Sequence, residues 1–201
     1  MTRVRRDPAP VLTIIRGNSG SGKTTAAREI RRRYGRGCAL LEQDHLRRII
    51  LREHDHDGGA APAFIAATAR SALGLGYHVV LEGILYAKHY RAALESLIAG
   101  HPGPSHVYYL DIPFEETLRR HATRPGMAHI TEAEMRGWYA PSDALGVPGE
   151  TVFGPAATLE AIVTTVLHRS GLAAAAPLAP CPVTCPRCSV QAEGVHLGAE
   201  Q

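Results

Sequence analysis

Short apolar runs punctuate the chain at near-regular distances, with amphipathic stretches between them. "VLTIIR" (11–16) is apolar and β-branched over a length that suits a buried strand. "CALLEQD" (38–44), "YHVVLEG" (77–83) and "SHVYYLD" (105–111) share that character, and "ETVF" (150–153) is a shorter fifth run. The stretches between them repeat at helical spacing. The first runs from Lys23 to about Arg33 and is ended by "YGRG". "HLRRIILRE" predicts a short helix before the "DHDGG" turn, and Pro62 suits the first turn of a helix reaching Leu73. The next helix places Tyr90, Leu94, Leu97 and Ile98 on one face. "PFEETLRRHATR" is expected to turn Phe114, Leu118 and Ala122 inward. Thr131 and Glu134 have the spacing of a capping box at the head of a helix ending near Tyr139. The closing helix carries Leu159, Ile162, Val163, Val166 and Leu167, with Gly171 behind it. Five buried strands alternating with helices predict an α/β fold with a mainly parallel sheet. Right-handed crossovers place helices on both of its faces.

The length of 201 residues suits one domain. Residues 1–10 read as a flexible arm, 11–171 as the folded domain with a lid at about 120–141, and 172–201 as a disordered tail rich in alanine, proline and polar residues. No internal repeat is present. The net charge of +3 does not signal a nucleic-acid partner. Only Lys23 and Lys88 of the 22 basic residues are lysines, the usage of GC-rich coding. Arginine runs therefore weigh little: Arg28, Arg31, Arg32, Arg33 and Arg36 can bind RNA or an acidic surface, but a solvated helix face is the favoured reading. No apolar run suits a signal peptide or a membrane span, so a cytoplasmic location without a membrane partner is expected. Cys38 stands alone in the body of the chain, which implies no disulfide framework. Cys181, Cys185, Cys188 and His196 are a possible zinc set, but their irregular spacing argues against it. His45, His54 and His56 can line a substrate pocket, although an exposed loop accounts for them. No signal for an oligomeric state is read.

Candidate chemistry is densest in "GNSGSGKTT" (17–25), between the first strand and the first helix. It fits G-x-x-x-x-G-K-[ST] at Gly17, Gly22, Lys23 and Thr24. Small residues let backbone N–H groups curl around phosphate oxygens, and the helix presents its positive end to the same anion. The predicted nucleotide-binding stretch is Gly17, Asn18, Ser19, Gly20, Ser21, Gly22, Lys23, Thr24 and Thr25. Lys23 is expected at the β- and γ-phosphates and Thr24 on Mg²⁺, so the expected cofactors are ATP and Mg²⁺.

Ligands of open parallel sheets sit at the carboxyl ends of the strands. Asp44 follows the second strand. Its carboxylate can take the proton of an attacking hydroxyl or cap the next helix. Arg47, one turn on, is assigned to the substrate. Glu82 ends the third strand, where an acid can hold the Mg²⁺ shell, contact the substrate or simply be solvated. Asp111 suits a structural turn. Phosphoryl transfer gains from a cation near the moving group, and "RRHATR" offers Arg119, Arg120 and Arg124. Glu115–Arg119 and Glu116–Arg120 also fit surface pairs of about 0.2–0.5 kcal/mol. Arg124 has no acid four residues back, so it is the first lid candidate and Arg120 the second.

"IIRGNSGSGKTT", "LLEQDHLRR", "VVLEGIL" and "YYLDIPFEETLRRHATR" together resemble the P-loop kinases of the zeta-toxin and chloramphenicol-phosphotransferase type, over about residues 11–170. The resemblance implies a P-loop NTPase fold with strand order 2-3-1-4-5. It also implies Lys23 and Thr24 at ATP and Mg²⁺, Asp44 as base, Glu82 near substrate or metal, and lid arginines at Arg120 and Arg124. Ile84 replaces the threonine of the related E-G-T motif, and "DHDGG" matches no pattern of the group. The expected activity is transfer of the γ-phosphoryl group of ATP to a hydroxyl of a small molecule or nucleotide-like metabolite. The alternatives are a kinase of polynucleotide ends and a non-catalytic, toxin-type nucleotide-binding protein.

Overall fold

The structure is a computed structural model and describes residues 9–123 and 130–175. The strands are β1 (Leu12–Gly17), β2 (Cys38–Glu42), β3 (His78–Gly83), β4 (Ser105–Leu110) and β5 (Thr151–Phe153). The helices are α1 (Lys23–Tyr34), α2 (Ala61–Gly74), α3 (Ala87–Ala99), α4 (Phe114–Ala122), α5 (Glu132–Trp138) and α6 (Leu159–Arg169). A π-helix, His45–Leu51, follows β2. All strand pairs are parallel and the sheet order is β2-β3-β1-β4-β5, as the resemblance implied. The central position of β1 explains why all of its residues are buried, since both of its faces are covered.

Alternate residues of β1 serve the two cores. Ile15 packs with Ala26, Ala27 and Ile30 of α1 and with Val163 and Val166 of α6. Leu12 and Ile14 pack on the other face with Ile65 and Ala69 of α2 and with Tyr90, Leu94 and Leu97 of α3. Each of the buried Ile, Leu and Val side chains among them contributes about 1.5–3 kcal/mol.

Three local expectations are corrected. β2 stops at Glu42, and the backbone at Asp44 is already helical (φ −64°, ψ −38°). Helix α4 buries Phe114, Thr117 and His121, whereas Leu118 is half-buried and Ala122 exposed. The reason is that α4 supports the glycine loop: a Cβ on Gly20 would stand 2.7 Å from the Thr117 carbonyl oxygen. Finally, Leu172, placed in the tail by composition, is buried in the core beside α6. The capping box of α5 forms as expected, with Thr131 Oγ1 accepting from Glu134 N and Glu134 Oε2 accepting from Thr131 N.

Candidate active site

The loop after β1 is shaped by glycines. Gly17 has φ +153°, and a Cβ there would meet Ser21 Oγ at 2.8 Å and the Leu110 carbonyl oxygen at 2.9 Å. At Gly20 the close approach of Thr117 combines with φ +82°, a conformation that L side chains rarely adopt. The loop closes on itself through Ser21 N, which donates to Asn18 O at 3.1 Å, and Lys23 Nζ donates to the same carbonyl at 3.3 Å. Ser21 Oγ is buried without a hydrogen-bond partner. Thr25 points outward, exposed on α1.

Thr24 Oγ1 donates to Glu82 Oε2 at 3.0 Å, which joins the start of α1 to the end of β3. The parallel register sets Glu82 beside Ile15 on β1 and beside Glu42 on β2. Glu82 is buried, and its desolvation pushes the carboxyl pKa up against the opposing pull of Lys23 and Thr24. Glu42 is matched by a forked ion pair from Arg28, at 2.6 and 3.0 Å, which lowers its pKa. A hydroxyl and a buried carboxylate this close offer the hard oxygen donors that Mg²⁺ takes in nucleotide sites, where phosphates and water complete the shell. Among the described residues no cluster of three or more His, Cys, Asp or Glu forms a metal cage.

Asp44 stands at the same edge of the sheet, two residues beyond the end of β2. Its side chain is exposed and pairs with Arg47 Nη2 at 2.9 Å and Arg48 Nη1 at 3.5 Å. It makes no capping bond, which corrects the helix-cap reading. A capping carboxylate accepts from an N–H two or three residues further on and does so from an extended backbone, whereas Asp44 is already in the helical region. Arg47 also donates to the Glu53 carbonyl oxygen at 3.0 Å, so it holds Asp44 against the loop that follows the π-helix.

Arg120 reaches the glycine loop: Nη1 donates to Ser21 O at 3.0 Å while Nε pairs with Glu116 at 2.6 Å. Glu116 also pairs with Arg119 at 2.7 Å, in place of the predicted Glu115–Arg119 pair. The two arginines hold the Glu116 carboxyl down at about 2. Arg124 lies outside the described residues, as do Cys181, Cys185, Cys188 and His196. Three arginines of α1 are paired, Arg28 with Glu42, Arg32 with Glu29, and Arg33 with Glu29 and Glu160.

Several contributors escaped the sequence reading. Gln43 is buried and donates to Asp55 Oδ2 at 3.3 Å and Tyr90 OH at 3.1 Å. It occupies the space that a Cβ on Gly83 would take, at 2.5 Å from its own Cβ. Arg16 is wholly buried at the end of β1, and its guanidinium holds Leu85 O and Asp143. A charge inside an apolar strand run was the available signal for Arg16, since a buried guanidinium needs partners. Asp143, in a turn-rich stretch, offered no comparable signal.

The fold is shared with solved kinases. An APS kinase of Mycobacterium tuberculosis in complex with AMPPNP and APS superposes with a TM-score of 0.63 at 19% identity, covering 84% of this chain and 100% of that one. A sugar kinase from Janibacter sp. HTCC2649 gives 0.62 at 21% identity, covering 84% of this chain and 99% of that one. A gluconokinase from Sinorhizobium meliloti 1021 gives 0.58 at 20% identity, with coverages of 83% and 93%. No curated protein matches the chain significantly. A family model described as an AAA domain matches residues 12–144, from the first residue of β1 to just beyond Asp143. The glycine loop, the paired Thr24 and Glu82 and the parallel sheet beneath them all lie inside that match, and the chain belongs to the AAA domain family.

Proposed function

We propose that the chain is an ATP-dependent kinase that moves the γ-phosphoryl group to a hydroxyl of a small molecule or nucleotide-like metabolite. The observation that carries this reading is the Thr24–Glu82 pair at the mouth of a glycine loop, with Lys23 beside it. The loop N–H groups hold the phosphates, and Lys23 offsets charge at the β- and γ-phosphates. Thr24 and Glu82 would hold Mg²⁺, which supplies further charge neutralisation at those oxygens. Asp44 accepts the proton of the acceptor hydroxyl as its oxygen attacks the γ-phosphorus and the bond to the bridging oxygen of ADP breaks. Arg120 faces the loop from α4, and Arg124 is assigned with it to the charge of the moving group. Arg47 orients Asp44 and borders the substrate side. That the similar structures are kinases supports the reaction class. Among the described residues no helix is long and apolar enough to cross a membrane, and a cytoplasmic setting with ready ATP suits the reaction.

The test is transfer of label from γ-labelled ATP, with magnesium, to a panel of sugars, sugar acids, nucleosides and aminoalcohols. A labelled acceptor supports the reading. Binding of ATP with no transfer to any member would favour the non-catalytic nucleotide-binding alternative. A polynucleotide-end kinase is less favoured, because acids already neutralise Arg28, Arg32 and Arg33 on α1.

A further inference from the structure

Loops leave the carboxyl ends of β1, β3 and β4, and one short segment, Trp138–Asp143, is bonded to all three. On the β1 side, Asn18 pairs with Ala140 through both ends of its amide. Its Nδ2 donates to Ala140 O at 2.8 Å, and its Oδ1 accepts from Ala140 N at 2.9 Å. On the β3 side, Tyr86 OH donates to Trp138 O at 2.5 Å, and Asp143 Oδ2 accepts from Ala87 N at 2.9 Å. On the β4 side, Tyr139 OH donates to Ile112 O at 3.1 Å, and Asp143 N donates to Tyr109 OH at 3.0 Å. Arg16 locks the far end, donating to Asp143 O at 2.7 Å and Asp143 Oδ2 at 2.8 Å.

A surface turn does not need this apparatus. Burying a guanidinium costs several kcal/mol before its partners repay it. Here it is placed one residue before the glycine loop, while Asn18 grips from one residue inside it. Tyr86, at the other end, is within electrostatic reach of Asp55 and of Arg47, which pairs with Asp44. The segment therefore spans from the nucleotide loop to the acceptor side.

We infer that Trp138–Asp143 is a strap that sets the distance between the phosphate loop and the acceptor side, with Asn18, Arg16 and Tyr86 as its positioning residues. The inference rests on the nucleotide-binding reading of the loop. Its consequence is that filling the loop is felt at Trp138 through Asn18 and Ala140, with Tyr86 holding the other end.

Trp138 is the chain's single tryptophan, so its emission reports on the strap alone. The full chain is titrated with magnesium and AMPPNP while heat and tryptophan emission are recorded together. In the wild type the emission change follows the heat to saturation. In Asn18→Ala, brought to saturation as judged by heat, that change is lost. In Tyr86→Phe, which keeps the ring and removes only the bond to Trp138 O, the heat persists and the emission change is altered in size. Heat without any emission change in the wild type overturns the inference and leaves the nucleotide reading standing. Wild-type emission amplitude in both variants also overturns it. Absence of heat in the wild type overturns the nucleotide reading, and the strap's role with it.

Discussion

Thr24 and Glu82 lie 58 residues apart in the chain and share a hydrogen bond of 3.0 Å. The bond exists because parallel pairing carries the end of β3 alongside β1, whose loop opens α1. It holds a buried carboxylate at the point where a nucleotide's terminal phosphates would meet the helix.

Glu82→Gln keeps the shape and removes the charge. Mg²⁺-dependent turnover is expected to fall by about 10–100-fold, the range for disturbed metal surroundings. Calorimetry with ATP in the absence of magnesium should change much less. The raised pKa of Glu82 also has a sign for stability. The folded carboxyl holds its proton to higher pH than the unfolded one. Metal-free wild type therefore loses stability as pH rises from the ordinary carboxylate value through the raised value. The Gln variant should lack that loss in a pH series of thermal melts. Parallel curves for the two proteins would remove Glu82 from the account.

Asp44→Asn removes the proposed base while keeping its size and its contact to Arg47. ATP affinity should persist and turnover should drop by about 10²–10⁴-fold, the usual contribution of a positioned proton acceptor. Single-turnover transfer of labelled phosphate measures this directly, and equal turnover would exclude Asp44 from the chemistry.

Arg16→Met replaces a buried cation by a side chain of similar reach. Asp143 and Glu150 then lose the charge that faces them at 2.8 and 3.9 Å. Breaking one side of a buried pair costs about 3–5 kcal/mol. Denaturant unfolding should show a loss of that order, whereas Arg32→Met on the exposed face of α1 should cost about 0–1 kcal/mol.

His78 ties the start of the sheet to pH. Its Nδ1 accepts a hydrogen bond from Val11 N at 2.9 Å, which requires that nitrogen to be unprotonated. Burial accordingly lowers the pKa of His78 from 6.5. The unfolded chain takes up the proton first on acidification, so stability falls as pH drops below about 6.5 toward the folded value. Thermal melts from pH 8 to pH 5 should show that slope, and His78→Gln should flatten it.

Much of this molecule was legible along the chain because the determinants are local. An apolar β-branched run, three glycines and a lysine, then an amphipathic stretch define strand, loop and helix within about twenty residues. The capping box of α5 was equally plain, because Thr131 and Glu134 lie within one turn of each other. The long-range pairings were not legible. Arg16 finds Asp143 127 residues away, and nothing near either residue announces the other. The strand order decides that meeting, by placing β1 between β3 and β4 and returning the chain across their ends. Asp44 shows the same limit on a smaller scale. Its residue type permitted a cap, but packing of Gln43 against Gly83 and early helical turning of the backbone sent its carboxylate to Arg47. Propensity and spacing act over a few bonds, so sequence alone determined the elements and the glycine loop. Which side chains face each other across the site depends on distances that exist only once the sheet has formed.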